Sequence, residues 1–326
     1  MPQLIRKKSH TPKSLSLREF HEKHNTILLW HEKGGLGDVL MQRMMIDDFQ
    51  RTMPEAEIVF ACLPEYLDAA KDHPHVTKVL DSRHINPNDY VICYNTCVTM
   101  ADRYENYLAP NCTDHRSDIW ARSCGVKLEN HDMRINLSST LIQTGRERLE
   151  RLRKPGTPLV AFAPVSKMLT KTLLPHQLKA VVDVTKDYTL FGLHTQEIQE
   201  LTALGVPGIY KSTILEWMSY INAADYVISV DTAAFHLAGG LKKPLVGIFT
   251  FADGKAYGKY FDFVLVQKHR DNGDWACGPC FKFGDCPKSR TQPKPCLTEI
   301  SACELESGIR QMFQRWPWGK NLPVLV

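Results

Sequence analysis

The sequence predicts an α/β protein made of two doubly wound domains, and three observations lead there. Short apolar, β-prone runs alternate with helical stretches along most of the chain, the pattern of parallel sheets covered on both faces. The alternation breaks at a charged stretch ending in Pro155, Gly156 and Pro158, then starts again at LVAFAPV. At 326 residues the chain is long for one compact core and comfortable for two. The expected organisation is a basic arm over 1–25, a Rossmann-like domain over 26–153 and a second over 154–326, facing a cleft.

The first domain opens on TILLWH (26–31), a strand that stops at Gly34-Gly35-Leu36-Gly37-Asp38. The chain continues as VLMQRMMIDDFQRTM, where Val39, Leu40, Met44, Ile46 and Phe49 fit helical spacing. Strand, glycine turn and helix make a βα unit. EIVFACL, VTKVLD and DYVICYN are further strands, PEYLDAAKDH a short helix, and RSDIWARSCGV a helix closed by Gly125. After the linker, LVAFAPV (159–165), YTLFGL, DYVISVD (225–231) and PLVGIF (244–249) are strands. PHQLKAVVDVTK, HTQEIQELTAL, ILEWMSYINAA and AAFHLAGGL are the helices among them. TEISACELESGIRQMF is a closing helix, with Cys303 read as a core residue.

Composition narrows the classes. Hydrophobic residues at 43% and charged residues at 23% are those of an ordinary globular protein. No run approaches the roughly 18 apolar residues of a membrane span, and the N-terminus lacks the apolar core of an export signal, so a cytoplasmic location is expected. A net charge of +4 is too mild to point to a partner. The arm carries Arg6, Lys7, Lys8, Lys13, Arg18 and Lys23 against Glu19 and Glu22, and reads first as a solvated tail, second as an anion-binding segment.

The 10 cysteines, without an export signal, suit thiols and metal ligands better than disulfides. Cys62, Cys93, Cys97, Cys112 and Cys124 are scattered and read as small core residues, whereas Cys277, Cys280, Cys286, Cys296 and Cys303 crowd together. Cys277-Gly-Pro-Cys280 is a C-x2-C knuckle, and with Cys286 and Cys296 it offers four thiolates to a tetrahedral ion, zinc first and iron second. A shell filled by four cysteines makes the metal structural; buried thiols without metal are the alternative.

Three segments could carry chemistry. In GGLGD, Gly34, Gly35 and Gly37 let the backbone approach a ligand, and Asp38 is either a cap of its helix or a base for a hydroxyl proton. In SVDTAAFH a strand ends at Asp231, and Thr232, Ala233 and His236 lead into a helix whose first amides suit a diphosphate. In APVSKMLTK the cluster Ser166, Lys167, Thr170 and Lys171 follows another strand end, where lysines can neutralise an anionic leaving group.

Together these segments resemble glycosyltransferase family nine, the ADP-heptose:lipopolysaccharide heptosyltransferase family. The resemblance rests on GGLGDVLM, the AP pair, KTLLPHQL, GLHTQE and above all DTAAFHLAGGLKKPLVGIF, and covers most of the chain from Thr26 to about Cys296. It implies a GT-B fold, a donor nucleotide (an ADP-sugar) in the second domain, an acceptor mainly in the first, and inversion at the anomeric carbon without a catalytic metal. Asp38 would then be the general base, Lys171 with Ser166 or Lys167 would grip the diphosphate, and Asp231, Thr232, Ala233 and His236 would line the donor site. Cysteine-bearing tails also occur in that family, metal-bound in its protein-modifying branch. The expected activity is transfer of a sugar, heptose from ADP-heptose, onto a hydroxyl. A nucleotide-sugar binding protein without catalysis is the rival class. Glycan, protein side chain and nucleic-acid base all remain open as acceptors.

Overall fold

The computed structural model describes residues 25–210, 212–268, 278–282, 286 and 293–319. The basic arm and Cys277 lie outside the described residues. The described chain divides into two compact units, one running to Tyr104 and including His115–Asn136, the other taking Glu105–Asp114 and the chain from Leu137 on.

In the first unit, strands β1 (Thr26–Trp30), β2 (Glu57–Cys62), β3 (Val76–Asp81) and β4 (Ile92–Asn95) form a parallel sheet in the order β3-β2-β1-β4. Helix α1 (Leu36–Thr52) follows β1 and is buried nearly all round, Gln42, Arg43 and Asp48 included. Arg43 is tolerated there because its guanidinium finds four acceptors: the carbonyls of Ala69, Met133 and Arg134, and the carboxylate of Asp72. Helix α2 (Val98–Leu108) escaped the sequence reading, and α3 (Arg116–Ser123) ends before Gly125, whose φ of +74° is the left-handed stop the glycine predicts. PEYLDAAKDH forms only a short 3₁₀ turn over Pro64–Ala69.

In the second unit, α4 (Ser139–Glu150) precedes β5 (Leu159–Ala163), α5 (Pro175–Val184), β6 (Thr189–Leu193), α6 (Gln199–Ala203), β7 (Gly208–Ile209) and α7 (Ile214–Ala223). Then come β8 (Tyr226–Val230), α8 (Ala233–Gly240), β9 (Leu245–Phe249), α9 (Gly254–Tyr257), β10 (Val264–Gln267), α10 (Pro295–Thr298) and α11 (Ala302–Arg315). The six strands are parallel, in the order β10-β9-β8-β5-β6-β7. Every residue of β5, β6, β8 and β9 is buried, as a sheet covered on both faces requires. α4 packs against α7 so closely that a methyl group on Gly145 would stand 2.7 Å from the Ser219 carbonyl oxygen. HTQEIQELTAL is helical only over α6, because Gln196 N–H turns back onto His194 Nδ1 (3.2 Å).

Both sheets place a switch in strand order at their first strand. β1 stands between β2 and β4, and β5 between β6 and β8. In open parallel sheets ligands collect beyond the carboxyl ends of strands at such points.

Candidate functional site

The first cluster sits where β1 gives way to α1. Gly34 has φ +146°, and a methyl group there would meet His31 Nε2 at 2.3 Å, so the turn demands glycine. Gly35 is the N-cap of α1, and Gly37 lies in its first turn. Asp38 is the third residue of the helix, and its Oδ2 accepts the Gly35 amide at 2.8 Å. Asp38 thus does cap its helix, yet its other oxygen is engaged differently.

Arg116, at the start of α3, donates from Nη1 to Asp38 Oδ1 at 2.7 Å and from Nη2 to Asp102 of α2. Burial pushes the Asp38 carboxyl up, but Arg116, His31 and the Gly35 amide together outweigh it and hold the group below its ordinary value. Asp38 is therefore a carboxylate at neutral pH. His31, fully buried, completes this cluster. Burial lowers its pKa, which the Asp38 charge and the Thr96 carbonyl only partly offset. Neither Arg116 nor His31 was read from the sequence: each becomes recognisable only once the turn and α3 are brought together. Beside Gly34 an open cavity of about 440 Å³ is lined by Trp30, Glu32, Lys33, Leu63, Ser82, Arg83 and Ile85. Buried in its wall, Ser82 Oγ has no hydrogen-bond partner among the described residues.

The second cluster lies in the second unit, at the ends of β5 and β8. Lys171 Nζ stands 2.6 Å from Asp231 Oδ2, both largely buried, and 5.2 Å from the centre of the Phe251 ring. His236 Nε2 approaches Asp231 Oδ1 at 3.9 Å. Thr232 is the N-cap of α8 and Ala233 its first residue, while the Thr232 hydroxyl is shared with Ser229 Oγ (3.2 Å). Ser166 folds the intervening loop: its Oγ accepts Met168 N–H, and its own N–H reaches Thr172 Oγ1. Lys167 is exposed, and Thr170 Oγ1 is buried without a hydrogen-bond partner among the described residues. The structure thus gathers Lys171, Asp231 and His236 into one cluster, with Ser166 shaping the loop that carries Lys171.

The cysteine segment touches this second cluster through its backbone, since the N–H groups of Cys280 and Phe281 both reach the Phe251 carbonyl at 3.0 Å. Burial pushes the Cys280 thiol up, and Cys286 adds to the shift. Among the described residues no three or more His, Cys, Asp or Glu side chains are grouped so as to hold a metal ion. Cys303 corrects the sequence reading. It is exposed, because α11 buries Leu305, Gly308, Ile309 and Met312, a stripe that passes it by. Of the scattered thiols, Cys62 and Cys112 are buried, and Cys93, Cys97 and Cys124 only partly so.

Residues 196–284 match the family model described as glycosyltransferase family 9 (heptosyltransferase). No curated protein matches the chain. Among solved structures, a family 9 glycosyltransferase from Veillonella parvula superposes with TM-score 0.65 at 11% identity, over 90% of this chain and 99% of that one. Its fold is that of the family 9 glycosyltransferases. The E. coli ADP-heptose lps heptosyltransferase II aligns at TM-score 0.59 and 9% identity, over 89% of this chain and 99% of its own. The iron-containing dodecameric glycosyltransferase TibC from enterotoxigenic E. coli aligns at 0.66 and 15%, over 90% of this chain and 77% of its own. The family 9 resemblance and the GT-B fold expected from the motifs stand, and the matches support a glycosyltransferase. The matched stretch contains Asp231, Thr232, Ala233 and His236. No helix among the described residues is long and apolar enough to cross a membrane.

Proposed function

We propose that the chain is an inverting glycosyltransferase that moves heptose from ADP-heptose onto an acceptor hydroxyl. The observation that carries this reading is the state of Asp38: an ionised carboxylate at the carboxyl edge of the first sheet, on a glycine-rich turn, held by Arg116. A hydroxyl is a poor nucleophile until its proton is removed, and Asp38 is placed to remove it. The acceptor oxygen bonds to the anomeric carbon while the bond from that carbon to the diphosphate oxygen breaks. The electron pair leaves on ADP and the proton passes to Asp38. In the second unit, Lys171 meets the diphosphate, helped by Lys167 and by the amides at the start of α8. Asp231, Thr232, Ala233 and His236 line the donor. The cavity beside Gly34 supports an acceptor site in the first unit.

Solved relatives are named for ADP-heptose and for ADP complexes, which favours that donor. TibC is named as iron-containing, which favours a structural ion held by Cys277, Cys280, Cys286 and Cys296 here. Incubation with ADP-heptose and a panel of glycan, peptide and oligonucleotide acceptors, read by mass spectrometry, tests the reading. A product heavier by one heptose, with inverted anomeric configuration by NMR, is the expected result. Failure to consume ADP-heptose while other nucleotide sugars are turned over would overturn the donor assignment; retention of configuration would overturn the mechanism.

A further inference from the structure

The cavity beside Gly34 is a bowl at the carboxyl ends of three neighbouring strands. Trp30, Glu32 and Lys33 reach it from β1 and the turn after it, Leu63 from the end of β2, and Arg83 and Ile85 from the turn after β3. Its volume of about 440 Å³ lies within the range of small-molecule sites, ~300–1,000 Å³. Trp30 is half-buried, and its indole N–H donates to the Ser82 carbonyl at 3.3 Å, which fixes the ring in the wall. With its donor engaged inside the protein, the ring offers a ligand its apolar face. Half-buried Leu63 and Ile85 add to the apolar lining.

The charges at the cavity are already answered. Arg83 donates from Nε to Asp81 Oδ1 at 3.1 Å and from Nη2 to Asp81 Oδ2 at 2.7 Å, and this pairing holds the Asp81 carboxyl down at about 2. Lys33 has Glu32 beside it in sequence, so the formal charges of Lys33 and Arg83 cancel against Glu32 and Asp81. A phosphate or carboxylate entering here would have to displace Asp81 from Arg83 and face Glu32. Phosphate sites are built the other way, from basic side chains and amides left open to the anion. An extended peptide is commonly read along a strand edge, where its backbone finds partners. This cavity closes around strand ends instead, which suits a compact ring. A pyranose has an apolar C–H face to stack on an indole and a rim of hydroxyls to pair with a carboxylate and an ammonium. Gly34 borders both the cavity and Asp38, since a methyl group built on it would stand 3.1 Å from Asp38 Oδ2.

We propose that the acceptor is an uncharged saccharide, one ring of which stacks on Trp30 with its hydroxyls on Glu32 and Lys33. This deepens, and rests on, the reading of Asp38 as general base and of the cavity as the acceptor site. One hydroxyl oxygen of the seated sugar bonds to the anomeric carbon, its proton passes to Asp38, and ADP leaves with the electron pair.

Two measurements on the full chain test it. The first is NMR of tryptophan-labelled protein, with the Trp30 indole signal assigned from Trp30→Phe. The probes are glucose-, galactose- and mannose-based trisaccharides, each beside a counterpart carrying a phosphate or uronate, together with a serine/threonine peptide and an oligonucleotide. At least one uncharged trisaccharide should shift the Trp30 indole and bind tenfold or more tightly than its anionic counterpart. Its affinity should be nearly unchanged between about 50 and 200 mM salt, a range over which a polyanion held by basic groups loses affinity steeply. No response of Trp30 to any uncharged trisaccharide, or tighter binding of the anionic counterparts, the peptide or the oligonucleotide, overturns the proposal. The second is kinetics of ADP release from ADP-heptose with the saccharide so found. Trp30→Leu keeps an apolar side chain against Leu28, Val59 and Ala61 but removes the aromatic face. It should raise KM for the saccharide roughly tenfold, leave KM for ADP-heptose unchanged, and be largely rescued in Trp30→Phe. An unchanged saccharide KM in Trp30→Leu, beside a collapse of turnover in Asp38→Asn, defeats this inference alone. Near-normal turnover in Asp38→Asn defeats the general-base reading beneath it.

Discussion

Arg116 Nη1 lies 2.7 Å from Asp38 Oδ1 across 78 residues of chain, and the same guanidinium also binds Asp102. One arginine thus ties the first turn of α1 to α2 and α3. Arginine suits the task because its planar fork serves two carboxylates at once, which a lysine cannot do with one point charge. Arg116→Ala should cost up to about 3–5 kcal/mol, the range for breaking a buried pair and leaving a charge behind. It should also shift the acid limb of the pH–rate profile upward, because burial alone raises the Asp38 pKa. A thermal melt and a pH profile check both effects. Arg116→Lys should recover much of the stability but less of the rate.

Lys171 in the second unit is held by Asp231 at 2.6 Å, and a diphosphate must compete for it. Charge-assisted hydrogen bonds contribute about 1.5–3 kcal/mol, so Lys171→Ala should weaken ADP binding roughly 10–100-fold. Titration calorimetry with ADP reads this directly. Unchanged affinity would move the phosphate site elsewhere.

The parts of the site legible in the sequence are those that a local pattern dictates. Gly34, Gly35, Gly37 and Asp38 stand out because a strand meeting a helix through three glycines has few other uses, and DTAAFH because a strand ends on an acid beside a helix start. The alternation of apolar runs marks most strands for the same reason. Partners distant in sequence leave no such trace. Arg116 belongs to a helix whose pattern was visible, but nothing local says that its guanidinium crosses to Asp38. His31 reads as the end of a strand, and only the fold sets its Nδ1 between the Thr96 carbonyl and the Gln42 side chain. The two-residue β7 and four-residue β10 are too short to carry a period. Cys303 is apolar in type but stands off the buried stripe of α11, so residue type alone does not give its exposure.

The proposed metal predicts that purified protein carries close to one equivalent of zinc or iron. Removing it should lower stability more than it lowers the rate of folded enzyme, because four thiolates leave no open position for substrate. The coupling should nevertheless be felt at the second cluster, since Cys280 and Phe281 are bonded to the Phe251 carbonyl and Phe251 lies under Lys171. Elemental analysis beside a melt with and without chelator decides the matter. Metal-free protein of full stability would end the four-cysteine reading.

His73 predicts a pH dependence that owes nothing to catalysis. Burial first, and then Arg43, His75 and Arg134, hold its imidazole at about 3 against an ordinary value of 6.5. The unfolded chain therefore binds a proton that the folded chain refuses throughout that interval. Stability from this group is complete above about pH 6.5 and is lost as pH falls toward 3, at up to about 1.4 kcal/mol per pH unit. Denaturant melts from pH 7 down to pH 4 should show that slope, and His73→Gln should flatten it. An unchanged slope would mean that the acid loss comes from the carboxylates alone.

Asp38→Asn separates the two roles that the structure gives this residue. As a cap, Asp38 accepts the Gly35 amide, and loss of a cap costs about 1 kcal/mol. Asparagine keeps an acceptor oxygen of the same reach, so the helix start should survive, although Arg116 loses an ionic partner. As a base, Asp38 needs its charge, which asparagine lacks at every pH. Turnover should therefore fall by ~10²–10⁴-fold while ADP affinity, set in the second unit, changes little. The melt and the ADP titration serve as controls for folding, and the rate is the readout. A folded Asp38→Asn protein that transfers sugar at a near-normal rate would remove Asp38 from the chemistry and leave it a cap.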